Sequence, residues 1–192
     1  QRVGELGNAA TNIAFPLSTS CLALALLIGI GGSSAFNLAM GSGDDKKAVH
    51  LLGNAVVLLA GSGLFLSIIT FLFLKPLLLF FGSPKAVLPF AIEYTKVTAF
   101  GFPFLLLGTG GGHLIRADGR PRMTMVCNLI GAVINTVLDA LFVFGLNLGM
   151  TGAALATVIG QMVSGIMAII CLMHGKTVSI HKEHLFTFVG RN

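Results

Sequence analysis

The stretch Asn135–Thr157, NTVLDALFVFGLNLGMTGAALAT, decides the architecture. Two apolar runs meet at Asn147-Leu148-Gly149-Met150-Thr151-Gly152, a turn so tight that the runs must lie antiparallel and adjacent. Neither run alternates apolar and polar residues with period 2, as the wall of a membrane barrel would. Helices satisfy their own backbone groups, which lipid demands. Inside the first run stands Asp139. Inserting an aspartate near a bilayer centre costs roughly 2.5–3.5 kcal/mol, which points to a bundle interior or a watery cavity and to work with protons or cations. Asn135 and Asn128 fall on the same helical face as Asp139. The second run carries a parallel stripe, Thr157, Gln161 and Ser164, among glycines and alanines. Alone, such a stripe is helix-packing glue. The short hairpin raises its meaning by bringing Thr157 towards Asn135 and Asp139. For Asp139 itself two plainer readings stand beside the functional one: a buried interhelical hydrogen bond, or a place near the membrane interface.

Working outward, five apolar stretches are long enough to cross a hydrocarbon core, which takes roughly 20 residues of helix. They run over about 13–40, 51–81, 89–115, 123–148 and 152–173. The second is long enough to tilt or to end in an interfacial turn near Lys75-Pro76. Residues 1–175 therefore read as one all-α, polytopic transmembrane bundle. Residues 176–192 read as a polar cytoplasmic tail or a linker. The connections are punctuated by Gly41-Ser42-Gly43-Asp44-Asp45, by Gly82-Ser83-Pro84 and by Ala117-Asp118-Gly119-Arg120-Pro121. The paired aspartates suit the positive end of the next helix, and Pro121 suits a helix start. The chain begins at Gln1 with no initiator Met and no basic segment ahead of an apolar one, so we expect an internal start and no signal peptide.

Composition agrees. Hydrophobic residues make up 55% of the 192 and charged residues only 10%, with a mean hydropathy of +0.92. A soluble domain carries roughly 25% charged residues. The 25 glycines suit membrane helices, where small residues let backbones approach. A soluble enzyme would have to bury five such runs in fewer than 200 residues, which its surface-to-volume ratio forbids. The lipid bilayer is the first partner, and a multi-pass place in the cell membrane follows.

The net charge of +5 does not imply nucleic acid, because the cations sit between apolar runs and form no stripe. Lys46, Lys47, Arg116, Arg120, Arg122, Lys176, Lys182 and Arg191 share one side, and Arg2, Lys75, Lys85 and Lys96 the other. The positive-inside rule makes the first side cytoplasmic. Cys21, Cys127 and Cys171 lie in apolar runs and read as buried small hydrophobes. Glu93, Tyr94 and Lys96 read as interfacial. The run Gly108-Thr109-Gly110-Gly111-Gly112 lacks the preceding strand and the Lys-Ser/Thr of a phosphate loop, so it reads as flexible or tightly packed helix. His181 and His184 lack a third metal ligand. No nucleophile-base arrangement can be assembled, so the chain shows no enzyme signature and implies no cofactor.

These residues resemble a family, the multidrug and toxic compound extrusion (MATE) transporters. Asn135–Thr157 is similar to the family's fifth helix, hairpin and sixth helix. Leu114-Ile115-Arg116-Ala117-Asp118-Gly119-Arg120-Pro121 is similar to its fourth-to-fifth loop, Leu38 to Lys46 to its second-to-third loop, and Gly4-Glu5-Leu6-Gly7 through Pro16 to the stretch between its first two helices. The resemblance implies a twelve-helix antiporter of two six-helix lobes, exchanging Na+ or H+ for organic, often cationic, compounds. This chain would supply helices two to six of the N-terminal lobe, and its partners would be the first helix and the C-terminal lobe of the same protein. The family's prokaryotic cation site matches Asn135, Asp139 and Thr157 here. Asn128, Gln161 and Ser164 are then candidates for the substrate cavity. The sequence departs from some members at Gly110 to Gly112, where they carry polar residues. The alternatives are a lipid-linked saccharide flippase of the same architecture, which tends towards more basic residues in its cavity, and a membrane packing module that transports nothing.

Overall fold

A computed structural model describes residues 2–175, and the expectations for the tail, with His181 and His184, lie outside them. Six helices follow in order: α1 (Arg2–Gly41), α2 (Asp45–Leu72), α3 (Leu74–Phe80), α4 (Leu88–Ala117), α5 (Pro121–Asp139) and α6 (Gly149–Met173). A π-helical segment, Ala140–Gly145, extends α5. Among the described residues there is no strand, and five helices are long and apolar enough to cross a membrane. The expected all-α bundle is what the chain forms.

Local chemistry accounts for the breaks. Asp44 caps α2, its side chain accepting from the Lys47 amide at 3.0 Å, and Gly43 supplies the left-handed turn before it. Hydropathy predicts one span through 81, but the helix breaks at Phe73 and restarts as α3. Pro76 is the reason: it has no amide to give the Leu72 carbonyl. In the other direction α1 begins at Arg2, well before the apolar run at Ile13. Its 40 residues span about 60 Å, twice a hydrocarbon core. The early turns pack with α3 and the start of α4, where Ala10, Leu74, Leu78, Val87 and Ala91 form a small second core.

Helix α4 is the keel. It touches every other helix, with α1 and α2 on one side and α5 and α6 on the other. Its glycines make this possible. A methyl group on Gly110 would meet the Ala25 carbonyl oxygen at 3.0 Å, one on Gly111 would meet the Ala168 Cβ at 3.3 Å, and one on Gly112 the Thr124 Cγ2 at 3.0 Å. The Gly108–Gly112 run is thus tightly packed helix. Pro103 interrupts α4 by withholding an amide from the carbonyl four residues back, that of Ala99. That carbonyl accepts instead from the buried Ser67 hydroxyl of α2, at 2.8 Å. Buried polar groups are seldom left unpaired, and here the proline defect becomes an interhelical bond.

At the end of the bundle bearing Lys46, Arg116 and Arg120, the loop Asp118-Gly119-Arg120 forms a latch. Arg120 Nε donates to the buried Asp118 carboxylate at 2.8 Å. Its two terminal nitrogens donate to the Cys171 and His174 carbonyl oxygens at 2.5 and 3.1 Å, closing the C-terminus of α6. A cation there complements the helix dipole. Arg120→Ala should destabilise the protein by about 3 kcal/mol, because it removes the cation paired with the buried Asp118 carboxylate and two donors to the end of α6. Arg120→Lys should restore only part of this, since an ammonium lacks the planar fork. Thermal unfolding in detergent reads both, and an unchanged midpoint for the alanine variant would rule the latch out.

Candidate functional site

A cleft of about 240 Å³ lies between α5 and α6, lined by Asn128, Gly131, Ala132, Asn135, Thr157, Gly160, Gln161 and Ser164. It exists because the two helices cross at glycines. A Cβ on Gly160 would lie 2.9 Å from the Gly131 carbonyl oxygen and 2.8 Å from the Asn135 Cβ. With the backbones in contact there, the polar side chains on either flank are held at fixed spacing. A larger groove of about 440 Å³ lies between α1 and α2, but Asn54 is its one polar lining side chain. The smaller cleft is the one lined with polar side chains.

Five of the six residues singled out in the sequence line this cleft. Thr157 donates its hydroxyl to the Ala153 carbonyl at 3.0 Å, which leaves the oxygen lone pairs as acceptors. Asn135 is half-buried, with Gly160 against it. Ser164 donates to Asn128 Oδ1 across the helix pair at 3.5 Å, a long contact for a hydroxyl donor. Gln161 packs onto Gly101 of α4. The set is rich in neutral oxygens and contains no fixed charge.

Asp139 stands apart. It is half-buried at the last regular turn of α5, one turn (~6 Å) beyond Asn135, and it is not among the cleft's lining residues. Its carboxylate makes no hydrogen bond or ion pair among the described residues, and its electrostatic neighbour is Tyr94 of α4. The π-helical segment follows at once, with the Leu146 amide donating to the Leu141 carbonyl at 3.0 Å. Wide turns of this kind recur at functional positions. The hairpin closes with Asn147 at φ 51° and Gly149 at φ 55°. Nearby, Thr151 of α6 donates to the Glu93 carboxylate of α4. Sequence reasoning treated Glu93 and Tyr94 as interfacial residues and missed that α4 delivers them to the α5–α6 hairpin. No local pattern could have found this, because the hairpin end and the start of α4 are far apart in the chain.

Comparison with known proteins gives the family. The MatE family model matches residues 1–141. The chain belongs to the MatE family. The multidrug export protein MepA of Staphylococcus haemolyticus (strain JCSC1435) is 27% identical to this MatE chain over 95% of its length, and the match covers 41% of MepA. The FAD transporter of Shewanella oneidensis is 30% identical over 84% of this chain and 37% of that protein. The MatE chain thus spans about two-fifths of the length of the curated relatives it matches. Among solved structures, an inward-facing multidrug resistance MATE family transporter superposes with a TM-score of 0.88 at 25% identity, covering 96% of this chain and 42% of that one. The MATE multidrug transporter DinF-BH gives 0.83 at 32% identity over 92% and 40%. These relatives are transporters, and a MatE chain with five spanning helices is a multi-pass cell-membrane protein.

Proposed function

We propose that this chain forms part of a cation-coupled multidrug efflux antiporter, in which Na+ or H+ moves against an organic, often cationic, compound. The observation that carries the reading is the α5–α6 cleft with Asp139 one turn beyond it: neutral oxygens at fixed spacing beside a carboxylate with no hydrogen-bond partner among the described residues. Asp139 supplies the charge that a proton or Na+ neutralises, and Asn135 and Thr157 supply oxygens. Neutralisation removes one unit of charge beside a π-helical segment whose residues are none of them buried, so local packing can respond there. Asn128, Gln161 and Ser164 then line the path of the compound. The relatives named multidrug export protein support the cargo class.

The full-length protein, expressed in cells stripped of their own efflux pumps, tests this. Efflux of a fluorescent organic cation should stop when an ionophore collapses the coupling gradient, and the ionophore that stops it names the ion. Efflux indifferent to both Na+ and proton ionophores would overturn cation coupling. A second reading has one specific support, the 30% identity to a transporter named for FAD. Export of FAD without export of the cation would favour it.

A further inference from the structure

Below the cleft, α5 and α6 carry a second pair of facing side chains. The sulfurs of Cys127 and Cys171 are 3.8 Å apart, and the residues are 2% and 8% exposed. Cys127 immediately precedes Asn128, the lowest residue of the cleft on α5. The two backbones are held from outside the pair. Arg120 Nη2 binds the Cys171 carbonyl at 2.5 Å, and the Thr124 hydroxyl, one turn before Cys127, donates to the Gly112 carbonyl of α4 at 3.0 Å. Two thiols are therefore presented to each other on a fixed frame. This inference does not rest on the transport reading.

We propose that Cys127 and Cys171 form a two-thiol site for a soft, linear two-coordinate d10 cation, of which the mercuric ion is the type. Three arguments select that class. Metal–sulfur bonds of about 2.3 Å in a linear complex put the sulfurs about 4.6 Å apart, so the pair opens by less than an ångström. A disulfide brings the sulfurs to about 2.05 Å, a larger shift from 3.8 Å than the linear complex asks. Zinc takes four ligands, and among the described residues no group of three His, Cys, Asp or Glu is placed to hold a metal. Charge completes the case: a divalent cation and two thiols give a neutral bis-thiolate and release two protons to water at the nearby end of α6. A neutral complex avoids the cost of burying an ion in an apolar core. Thiolates also prefer soft cations over Mg2+ or Ca2+. Binding staples α5 to α6 directly beneath the polar cleft.

The protein at its full native length, in detergent and in a background where every cysteine other than Cys127 and Cys171 is replaced by alanine, is incubated with one equivalent of mercuric chloride. It is then challenged with an excess of a small monothiol. One mercury per chain should be retained, seen as a mass gain of one mercury less two protons and a near-ultraviolet charge-transfer band. Cys127→Ser and Cys171→Ser should each lose retention at least tenfold, because a lone thiol forfeits the effective concentration of its neighbour. If serine unfolds this apolar contact, Cys127→Ala and Cys171→Ala serve in its place. Retention unchanged in either single variant, or absent from the parent, overturns the site.

Discussion

Replacing Asp139 by asparagine should abolish drug resistance conferred by the full-length transporter while leaving its amount in the membrane unchanged. The substitution keeps the shape of the side chain and replaces one ionisable carboxylate oxygen by an uncharged NH2 group. Stability should not suffer, because the carboxylate makes no ion pair or hydrogen bond that asparagine would break among the described residues, and a neutral amide is cheaper to place in lipid than an aspartate. On the proposed cation coupling, a proton or Na+ would then have no charge to neutralise and the cycle would stall. Resistance plates and membrane immunoblots measured together decide it. Full resistance at equal expression would remove Asp139 from the mechanism, whereas loss of both signals would make it a folding residue.

The second large effect concerns packing. Gly165 of α6 lies so close to α4 that an added Cβ would sit 2.9 Å from the Phe104 carbonyl oxygen and 3.2 Å from its Cα. Both obstacles are backbone, so no rotamer change relieves them. Overpacking ordinarily costs about 1–3 kcal/mol, and more where the backbone must move. Gly165→Leu should therefore give no monodisperse protein by fluorescence-detected size exclusion. Gly61 on α2 is the control: it is exposed, and a Cβ there meets nothing within 4 Å. Gly61→Ala should unfold at the same temperature or slightly higher, since alanine favours helix over glycine by roughly 1 kcal/mol. A melting point for the leucine variant equal to that of the control would show that α4 and α6 do not pack as described.

The two glycines differ in a way that marks what a sequence can reveal. Both sit in apolar helices, and nothing local separates them. Periodicity tells which residues share a face. That is why Asn128 and Asn135, and Thr157, Gln161 and Ser164, were legible as two stripes, and the hairpin at Gly149 made them face each other. Periodicity does not tell what a face meets. Arg120 reaches the C-terminus of α6 some fifty residues later, and Tyr94 comes within electrostatic range of Asp139, through tertiary packing alone. The 3.6-residue spacing that puts Asp139 on the face of Asn135 holds to the end of α5, but it does not say how far along that face a cleft extends. The cleft's lining ends at Asn135 and Thr157, and Asp139 lies where the helix hands over to the π-helical segment. The break at Phe73 was half legible, since Pro76 announced a turn but not that a separate helix would follow.

The keel position of α4 also dictates a timetable for the growing chain. When α4 leaves the ribosome, α1 and α2 are already in the bilayer, so Gly110 and the Ser67–Ala99 bond can engage at once. Gly108 and Gly111 meet Ser164 and Ala168, which have not yet been made. For that interval the α4 face carrying Gly108 and Gly111 lacks its α6 partner. The α5–α6 hairpin then arrives as a unit. The Arg120 latch needs the carbonyls of Cys171 and His174, and so it can close only after α6 has been synthesised to its end. Until then the finished α1–α2–α4 half waits, and the cleft between α5 and α6 is among the last features of this chain to form.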